Sequence, residues 1–248
     1  MNFYGLIGYP LSHSFSRKYF LQKFEKENIT NADYQIFELK DLSGFRNFIS
    51  AKQGLKGLSV TIPYKKQVMT FLDEIDPIAE KIDAVNCIKI SYKNNKPYLT
   101  GYNTDVFGFE TSIKPLIKSR HNKALILGTG GASQAVAYVL EKLGVEYLFV
   151  SRSPSACKHI RYEILSEQII SDFKLIINTT PLGMFPNIEN KPLLPYEFLT
   201  PEHLLFDLTY NPEITAFMKM GQQARADVKN GFEMLTLQAE KAWQIWND

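Results

Sequence analysis

Apolar and polar positions change period several times along the chain, and each change marks an element. Residues 3–8 form a short apolar run with strand character. Tyr19, Phe20, Lys23 and Phe24 recur on neighbouring turns, which predicts a helix from about Ser16 to Lys26. "DYQIFEL" (33–39) predicts a strand, and "DLSGFRNFIS" (41–50) a helix with Asp41 as its N-cap. In "LSVTIPYKK" Leu58, Val60 and Ile62 alternate with Ser59 and Thr61, the period of a half-buried strand over 55–62. Pro63 then fits the first turn of a helix, where its missing N–H is not needed. "AVNCIKIS" and "PYLTGY", joined by "YKNNK", predict a hairpin with an Asn-Asn turn.

From Asp105 the rhythm changes. "DVFGFETSIKPLI" (105–117) predicts a helix, and "KALILGTGGASQAVAYVLEKLGVEYLFVSRS" reads as strand, glycine turn, helix and strand. Two further strands follow at "FKLIINTT" and "HLLFDLTY"; the first is nearly continuous in apolar residues, as a parallel strand buried on both faces must be. The last stretch, "GFEMLTLQAEKAWQIW", has helical spacing at Met234, Leu237, Ala242, Ile245 and Trp246. Strands alternating with helices predict an α/β fold. No linker, repeat or low-complexity tract is visible, so a boundary near residue 104 rests on the change of motif.

Composition narrows the function classes. With 45% hydrophobic and 22% charged residues, the 248-residue chain has the balance of an ordinary globular protein. Its 28 basic and 26 acidic side chains are dispersed, so neither nucleic acid nor a membrane surface is an expected partner. Cys87 and Cys157 lack any CxxC or Cys/His spacing, which argues against a disulfide framework and against a metal site. "MNFYGLIGYPLSHS" lacks a basic n-region, and no segment approaches the roughly 18 apolar residues of a membrane span. A reduced, cytoplasmic setting is the expectation.

"LILGTGGAS" puts Gly128 and Gly130 between an apolar strand and a helix, where close backbone approach and free N–H groups suit a pyrophosphate. Ser133 replaces the third glycine of GxGxxG, but the strand–turn–helix setting is the one that gives the motif meaning. The next strand ends in "FVSRS" and offers Arg152 in place of an acidic residue for a ribose 2′-OH. An arginine there pairs with a 2′-phosphate, so NADP is the expected cofactor; the competing reading is a surface arginine on a loop.

Taken together, "GYPLSHSFS", "SVTIPYKK", "AVNCI", "GYNTD", "GTGGAS", "NTTPLGM", "YNPEIT" and "NGFEMLTLQA" resemble the shikimate dehydrogenase family, in the same order and over essentially the whole chain. The resemblance implies an N-terminal α/β substrate domain (1–104, rejoined by 232–248) facing a Rossmann-type NADP-binding domain (105–231) across a cleft. It also implies reversible reduction of 3-dehydroshikimate to shikimate, on the route to chorismate and the aromatic amino acids, by a monomer or homodimer.

By that resemblance Ser14 and Ser16 hold the substrate carboxylate, Thr61, Asn86 and Tyr210 bond the ring hydroxyls, and Gln238 closes over the substrate. Lys65 and Asp105 are the matched catalytic pair: the oxygen that becomes negative on hydride transfer needs a proton and a nearby cation. Gly128, Gly130, Gly131, Ala132 and Ser133 would face the pyrophosphate, and Arg152 and Ser153 the 2′-phosphate. Thr179, Leu208, Gly231 and Met234 match positions at the ribose and nicotinamide end. Several of these have plain structural readings too: helix capping for Ser14, Ser16 and Asp105, and a solvated helix face for Gln238; Lys66, about 100° around the helix from Lys65, is read as a solvated lysine only.

Three positions depart from the family pattern. Arg17 replaces a proline, Ser59 replaces an asparagine, and a second basic residue near the 2′-phosphate is replaced by Ala156, with Lys158 two residues on. Between "SRS" and "FKLIINTT" the chain is short; Pro154 and the strand-like "IRYEIL" leave little room for a full helix. The rival functions are an NAD-using quinate/shikimate dehydrogenase, which an acidic residue after "FVS" would favour, and a non-catalytic binding protein, which loss of Lys65 or Asp105 would favour.

Overall fold

Two six-stranded sheets organise the chain, each in its own compact unit: Met1–Thr104 with Ala239–Asp248, and Asp105–Gln238. The structure, a computed structural model, describes residues 1–11, 15–154 and 156–248.

In the first unit the order of elements is β1 (Asn2–Gly8), α1 (Phe15–Lys26), β2 (Ala32–Glu38), α2 (Phe45–Ala51), β3 (Leu55–Val60), α3 (Tyr64–Gln67), β4 (Glu74–Ile75), α4 (Pro77–Ile82), β5 (Cys87–Lys93) and β6 (Lys96–Tyr102). The sheet runs β2-β1-β3-β5-β6-β4. β1 is parallel to both β2 and β3, whereas β5 is antiparallel to β3 and to β6. The β5–β6 hairpin turns on Asn94 (φ 51°) and Asn95 (φ 61°), the left-handed pair that a two-residue hairpin with the native twist requires. Alternation along β1 feeds two cores. Tyr4 and Leu6 join Phe20, Phe24, Tyr34, Ala242 and Trp246 on one face, and Ile7 joins Leu58, Val60, Tyr64 and Ile88 on the other. Trp246, near the end of the chain, is held there by its Nε1–H donating to the Ile88 carbonyl at 3.0 Å.

Three local expectations are corrected. α2 begins at Phe45 with Gly44 in the N-cap position; Asp41 lies a turn earlier, where its carboxylate accepts from Ser43 N at 2.9 Å. Pro63 sits in the N-cap position of α3 rather than inside it, and the helix is one turn long before a 3₁₀ turn at Val68–Phe71. The 105–117 helix is α only over Asp105–Ile113 and ends in a 3₁₀ turn at Lys114–Leu116, because Pro115 cannot continue the i to i−4 ladder.

The second unit comprises α5 (Asp105–Ile113), β7 (Lys123–Leu127), α6 (Gly131–Lys142), β8 (Glu146–Val150), β9 (His159–Ile160), α7 (Glu167–Asp172), β10 (Leu175–Asn178), β11 (Leu204–Asp207), α8 (Ala216–Gln223), β12 (Asp227–Lys229) and the start of α9 (Phe232–Asn247). Its sheet is fully parallel in the order β9-β8-β7-β10-β11-β12. Strands β10 and β11 are buried at every position, which is why they read as unbroken apolar runs. From β7 the chain moves outward to β8 and β9, then returns to lay β10 on β7's other side. That reversal creates a switch point at the carboxyl ends of β7 and β10. "IRYEIL" is strand only at its first residue, in β9; Tyr162–Ile164 form a 3₁₀ turn. Among the described residues no helix is long and apolar enough to cross a membrane.

Candidate active site

The glycine turn sits at the switch point. Gly128 follows β7 with φ 105°, and a Cβ there would lie 2.9 Å from Thr179 Oγ1, so both backbone conformation and the neighbouring loop demand glycine. Gly130 is different. Its φ of −79° is open to any residue, and a Cβ would meet nothing within 4 Å. Neither conformation nor packing requires glycine there, and the open space leaves room for a group to approach the backbone closely. Gly130 also stands at the N-cap of α6 with no side chain capping the helix, which leaves first-turn amides of Gly131 and Ala132 to an anion. Ser133 is fully buried, and its hydroxyl donates to the Gly130 carbonyl at 2.5 Å. It holds the turn from beneath rather than presenting its hydroxyl at the surface.

Next to the turn, Thr179 donates its hydroxyl to the last carbonyl of β7, Leu127 O, at 2.6 Å. Beneath it lies a polar cluster that sequence reasoning missed. Asp207, fully buried at the end of β11, accepts from Asn178 Nδ2 (3.1 Å), Thr209 N (3.0 Å) and Thr215 Oγ1 (2.7 Å). Asn178 in turn accepts from Thr180 N and Oγ1, and its main-chain carbonyl accepts from Leu208 N at 2.9 Å. Thr215 also caps α8. Burial pushes the Asp207 carboxyl up, against the pull of its hydrogen bonds. The cluster ties together the loops that carry Thr179, Leu208 and Tyr210. A polar residue closing each apolar run, "LIIN" and "LLFD", was the available signal.

Gly231 donates to Thr209 O at 3.0 Å and leaves no space for a side chain, since a Cβ would fall 2.1 Å from Leu208 O. Met234 is buried in the first turn of α9, and burial raises the Tyr210 phenol. Gln238 Nε2 donates to Leu235 O at 3.0 Å on its own helix. Asp105 is buried as the first residue of α5, inside the first turn rather than at the cap, where the helix dipole favours an anion. Arg152 and Ser153 are exposed beyond β8, in a turn where Ser153 N donates to Ser151 Oγ at 3.2 Å.

In the first unit, main-chain bonds gather the predicted substrate residues. Val60 N donates to Asn86 O (2.8 Å), and Val85 N to Lys65 O (2.7 Å), so Thr61, Lys65 and Asn86 are brought together by the segment 84–86. Asn86 Oδ1 accepts from Thr104 N (2.7 Å) and Thr104 Oγ1 (3.2 Å), which leaves its Nδ2 as the group to donate. Lys65 is half-buried; Lys66, on another side of the helix, is exposed and paired with Asp83. Ser16 lies in the first turn of α1, and Ser14 lies outside the described residues. Tyr34, not expected from sequence, donates to Ser59 Oγ at 3.0 Å and also bonds the Ser16 side chain. Among the described residues no group of His, Cys, Asp and Glu could hold a metal ion.

A glycine turn at the switch point of a parallel sheet in the dinucleotide-binding strand order defines a Rossmann-type nucleotide-dependent enzyme. Residues 6–88 match the shikimate dehydrogenase substrate binding domain. Over 256 residues the chain is 41% identical to the shikimate dehydrogenase (NADP(+)) of Clostridium beijerinckii, covering 100% of this chain and 93% of that one. Among solved structures, shikimate dehydrogenase 1 of Peptoclostridium difficile superposes with a TM-score of 0.86 at 38% identity, covering 100% and 92% of the two chains. Shikimate 5-dehydrogenase of Thermus thermophilus, solved in complex with NADP(H) and shikimate, gives 0.84 at 26% identity, covering 99% and 93%. The chain belongs to the shikimate dehydrogenase family.

Proposed function

We propose that this chain catalyses the reversible, NADP-dependent reduction of 3-dehydroshikimate to shikimate, in the pathway to chorismate and the aromatic amino acids. The structural observation that supports a bound dinucleotide is the turn at Gly130, whose open surroundings at the uncapped start of α6, at the switch point of the sheet, leave room for a pyrophosphate. When bound, NADPH supplies a hydride to the substrate's C3 carbonyl.

The protein's own groups do the rest. Lys65 places a cation at the oxygen that becomes negative, and with Asp105 it holds the proton that oxygen takes up. Ser14 and Ser16 hold the substrate carboxylate; Thr61, Asn86 through its amide hydrogens, and Tyr210 fix the ring hydroxyls, and Gln238 closes over them. Gly128, Gly130, Gly131 and Ala132 cradle the pyrophosphate on the amides of α6, with Ser133 bracing the turn. Arg152 and Ser153 take the 2′-phosphate, and Thr179, Leu208, Gly231 and Met234 line the ribose and nicotinamide end, keeping water from the hydride path. In functional terms residues 1–104 with 232–248 form the substrate domain and 105–231 the cofactor domain. We assign the enzyme to the cytoplasm, as a monomer or homodimer.

The test is oxidation of shikimate with NADP, followed by NADPH absorbance, and repeated with NAD and with quinate. Turnover with shikimate and NADP at much higher kcat/KM than with NAD is the expected result. No turnover with shikimate and either cofactor would overturn the assignment.

A further inference from the structure

Gly108 lies inside α5 with the backbone of an ordinary helix. Glycine weakens a helix interior relative to alanine, so its presence there calls for a packing reason. The reason is α9. A Cβ on Gly108 would fall 2.5 Å from Met234 O, 3.1 Å from Gln238 Cβ and 3.2 Å from Gln238 N. The nearest of these is a main-chain atom, which cannot turn aside as the end of a long side chain can. α5 and the Met234–Gln238 turn of α9 therefore meet backbone to backbone, closer than helices held apart by side chains.

Both helices are also fixed to β11 and the loop that follows it. Phe109, fully buried, sets its ring edge-on to Phe206, centroids 5.3 Å apart. At the start of α9, Gly231 N donates to Thr209 O at 3.0 Å, and no side chain fits between Gly231 and Leu208 O. Gly108 closes the third side of this triangle. With the other two sides anchored, neither helix can step aside for a methyl group without loosening its hold on the sheet. The contact also lies where it bears on the site. Asp105 and Gly108, three residues apart, share one face of α5, and both are buried. Met234 and Gln238, four apart, share one face of α9. The face of α5 that carries Asp105 is thus the face that receives the turn ending in Gln238.

We propose that Gly108 is a positioning residue: by letting the two backbones touch, it sets Gln238, and through Gln238 the substrate, relative to Asp105. The proposal rests on the roles given above to Gln238 and Asp105. An alanine at 108 needs the Met234–Gln238 turn to retreat by about 1 Å, the difference between 2.5 Å and an ordinary contact of about 3.4 Å. A misplacement of about 1 Å remote from the reacting atoms costs up to about a hundredfold in rate. Alanine's better helix propensity offsets part of the clash, so the effect falls on placement more than on folding.

The experiment compares G108A, Q238A, the double variant and G221A in the full chain. Gly221 on α8 is also tight, with a Cβ 2.8 Å from Val228 Cγ1 and 2.9 Å from Leu205 Cδ2, but these neighbours belong to β12 and β11. G221A therefore reports what a clash in the same unit does by itself. Thermal midpoints, the calorimetric Kd for shikimate without cofactor, and kcat are measured for each. G108A should raise the shikimate Kd about tenfold and lower kcat about tenfold or more, whereas G221A should lower the midpoint and leave both in place. In the Q238A background the methyl at 108 should change the Kd by less than about twofold, because it acts through Gln238. A lowered midpoint with an unaltered Kd, or the same loss of affinity with and without Gln238, would overturn the proposal. If Q238A itself leaves the Kd unchanged, the role of Gln238 falls and that of Gly108 with it; if Q238A weakens shikimate and G108A does not, only Gly108 is misassigned. Should G108A not fold, amide exchange in the unaltered chain decides. Shikimate should then slow residues 234–238 together with residues 108–112 of α5, which carry no proposed substrate group, and protection confined to 234–238 would refute the coupling.

Discussion

The Tyr34 hydroxyl donates to Ser59 Oγ across 3.0 Å, and the same phenol bonds Ser16. Tyr34 is fully buried on β2, Ser59 lies on β3 and Ser16 on α1, so one hydroxyl links three elements of the first unit. Burial raises the phenol, which keeps it protonated and able to donate. Ser59, shorter than the asparagine of the family pattern, is thereby held by the protein itself. Tyr34→Phe should raise KM for shikimate about threefold to tenfold and lower stability by about 1 kcal/mol, with KM for NADP unchanged. Steady-state kinetics at saturating NADP decide the matter; an unaltered shikimate KM would reduce the phenol to a core filler.

The two glycines of the turn should respond oppositely to alanine. Gly128→Ala forces a side chain into a left-handed conformation against Thr179 and should lower unfolding free energy by roughly 1–2 kcal/mol or more. Gly130→Ala meets open space and should leave the thermal midpoint in place while weakening NADP binding about tenfold or more. Calorimetry on both variants separates these effects. Unchanged NADP affinity in Gly130→Ala would remove the pyrophosphate from this turn.

Asp207→Ala leaves Asn178 Nδ2, Thr209 N and Thr215 Oγ1 without their shared acceptor in a dry environment, at a cost of about 3 kcal/mol or more. Asp207→Asn keeps one acceptor oxygen and should cost less, yet still raise KM for NADP, because the loops at Thr179 and Leu208 lose part of their common anchor. Urea unfolding measures the first effect and initial rates the second. A variant with lowered stability and an unaltered KM would mean that the cluster serves the fold alone.

His121 links stability to pH. Buried, it accepts from Lys118 N at Nδ1 (3.2 Å) and therefore carries its proton on Nε2, which donates to Glu202 O (3.1 Å). Burial lowers its pKa below the ordinary value of about 6.5. A lowered value means the unfolded chain takes up the proton first as pH falls. Its contribution to stability is therefore complete above about pH 6.5 and is lost as pH drops below that point. Urea midpoints should fall between about pH 7.5 and pH 5.5, and fall less in His121→Asn. Equal slopes in the two proteins would refute the linkage.

Lys65→Ala and Asp105→Ala should each reduce kcat roughly a hundredfold or more, with the double variant little worse than either single one, as expected of residues acting as a pair. Lys66→Ala, which removes only an exposed ion pair with Asp83, is the matched control. Near-normal turnover in Lys65→Ala would remove that residue from the chemistry.

Much of the fold was legible because it is encoded locally. Apolar runs such as "KALIL" and "KLIIN" declare strands buried on both faces, and Asn94–Asn95 declares a hairpin, since few residues tolerate two left-handed conformations in succession. Helix ends were less legible. Asp41 looked like a cap, but the helix starts a turn later at Phe45, where packing of Phe45 and Ile49 outweighs one side-chain hydrogen bond. In the site, the glycine turn could be read because its strand–turn–helix context lies within about twenty residues.

By itself the sequence determined the alternation of strands and helices, the position of the glycine turn, the sign of the charge after β8, and the residue types available for acid–base chemistry. These depend on period and on neighbours a few residues apart. Tertiary structure alone decided that Tyr34 reaches Ser59, that Asp207 gathers Asn178, Thr209 and Thr215, that Ser133 turns inward to Gly130, and that Ile160 pairs with Val150. The physical reason is register. A polar side chain's partner is set by which strand pairs with which and at what offset, and a slip of one residue sends every side chain to the other face.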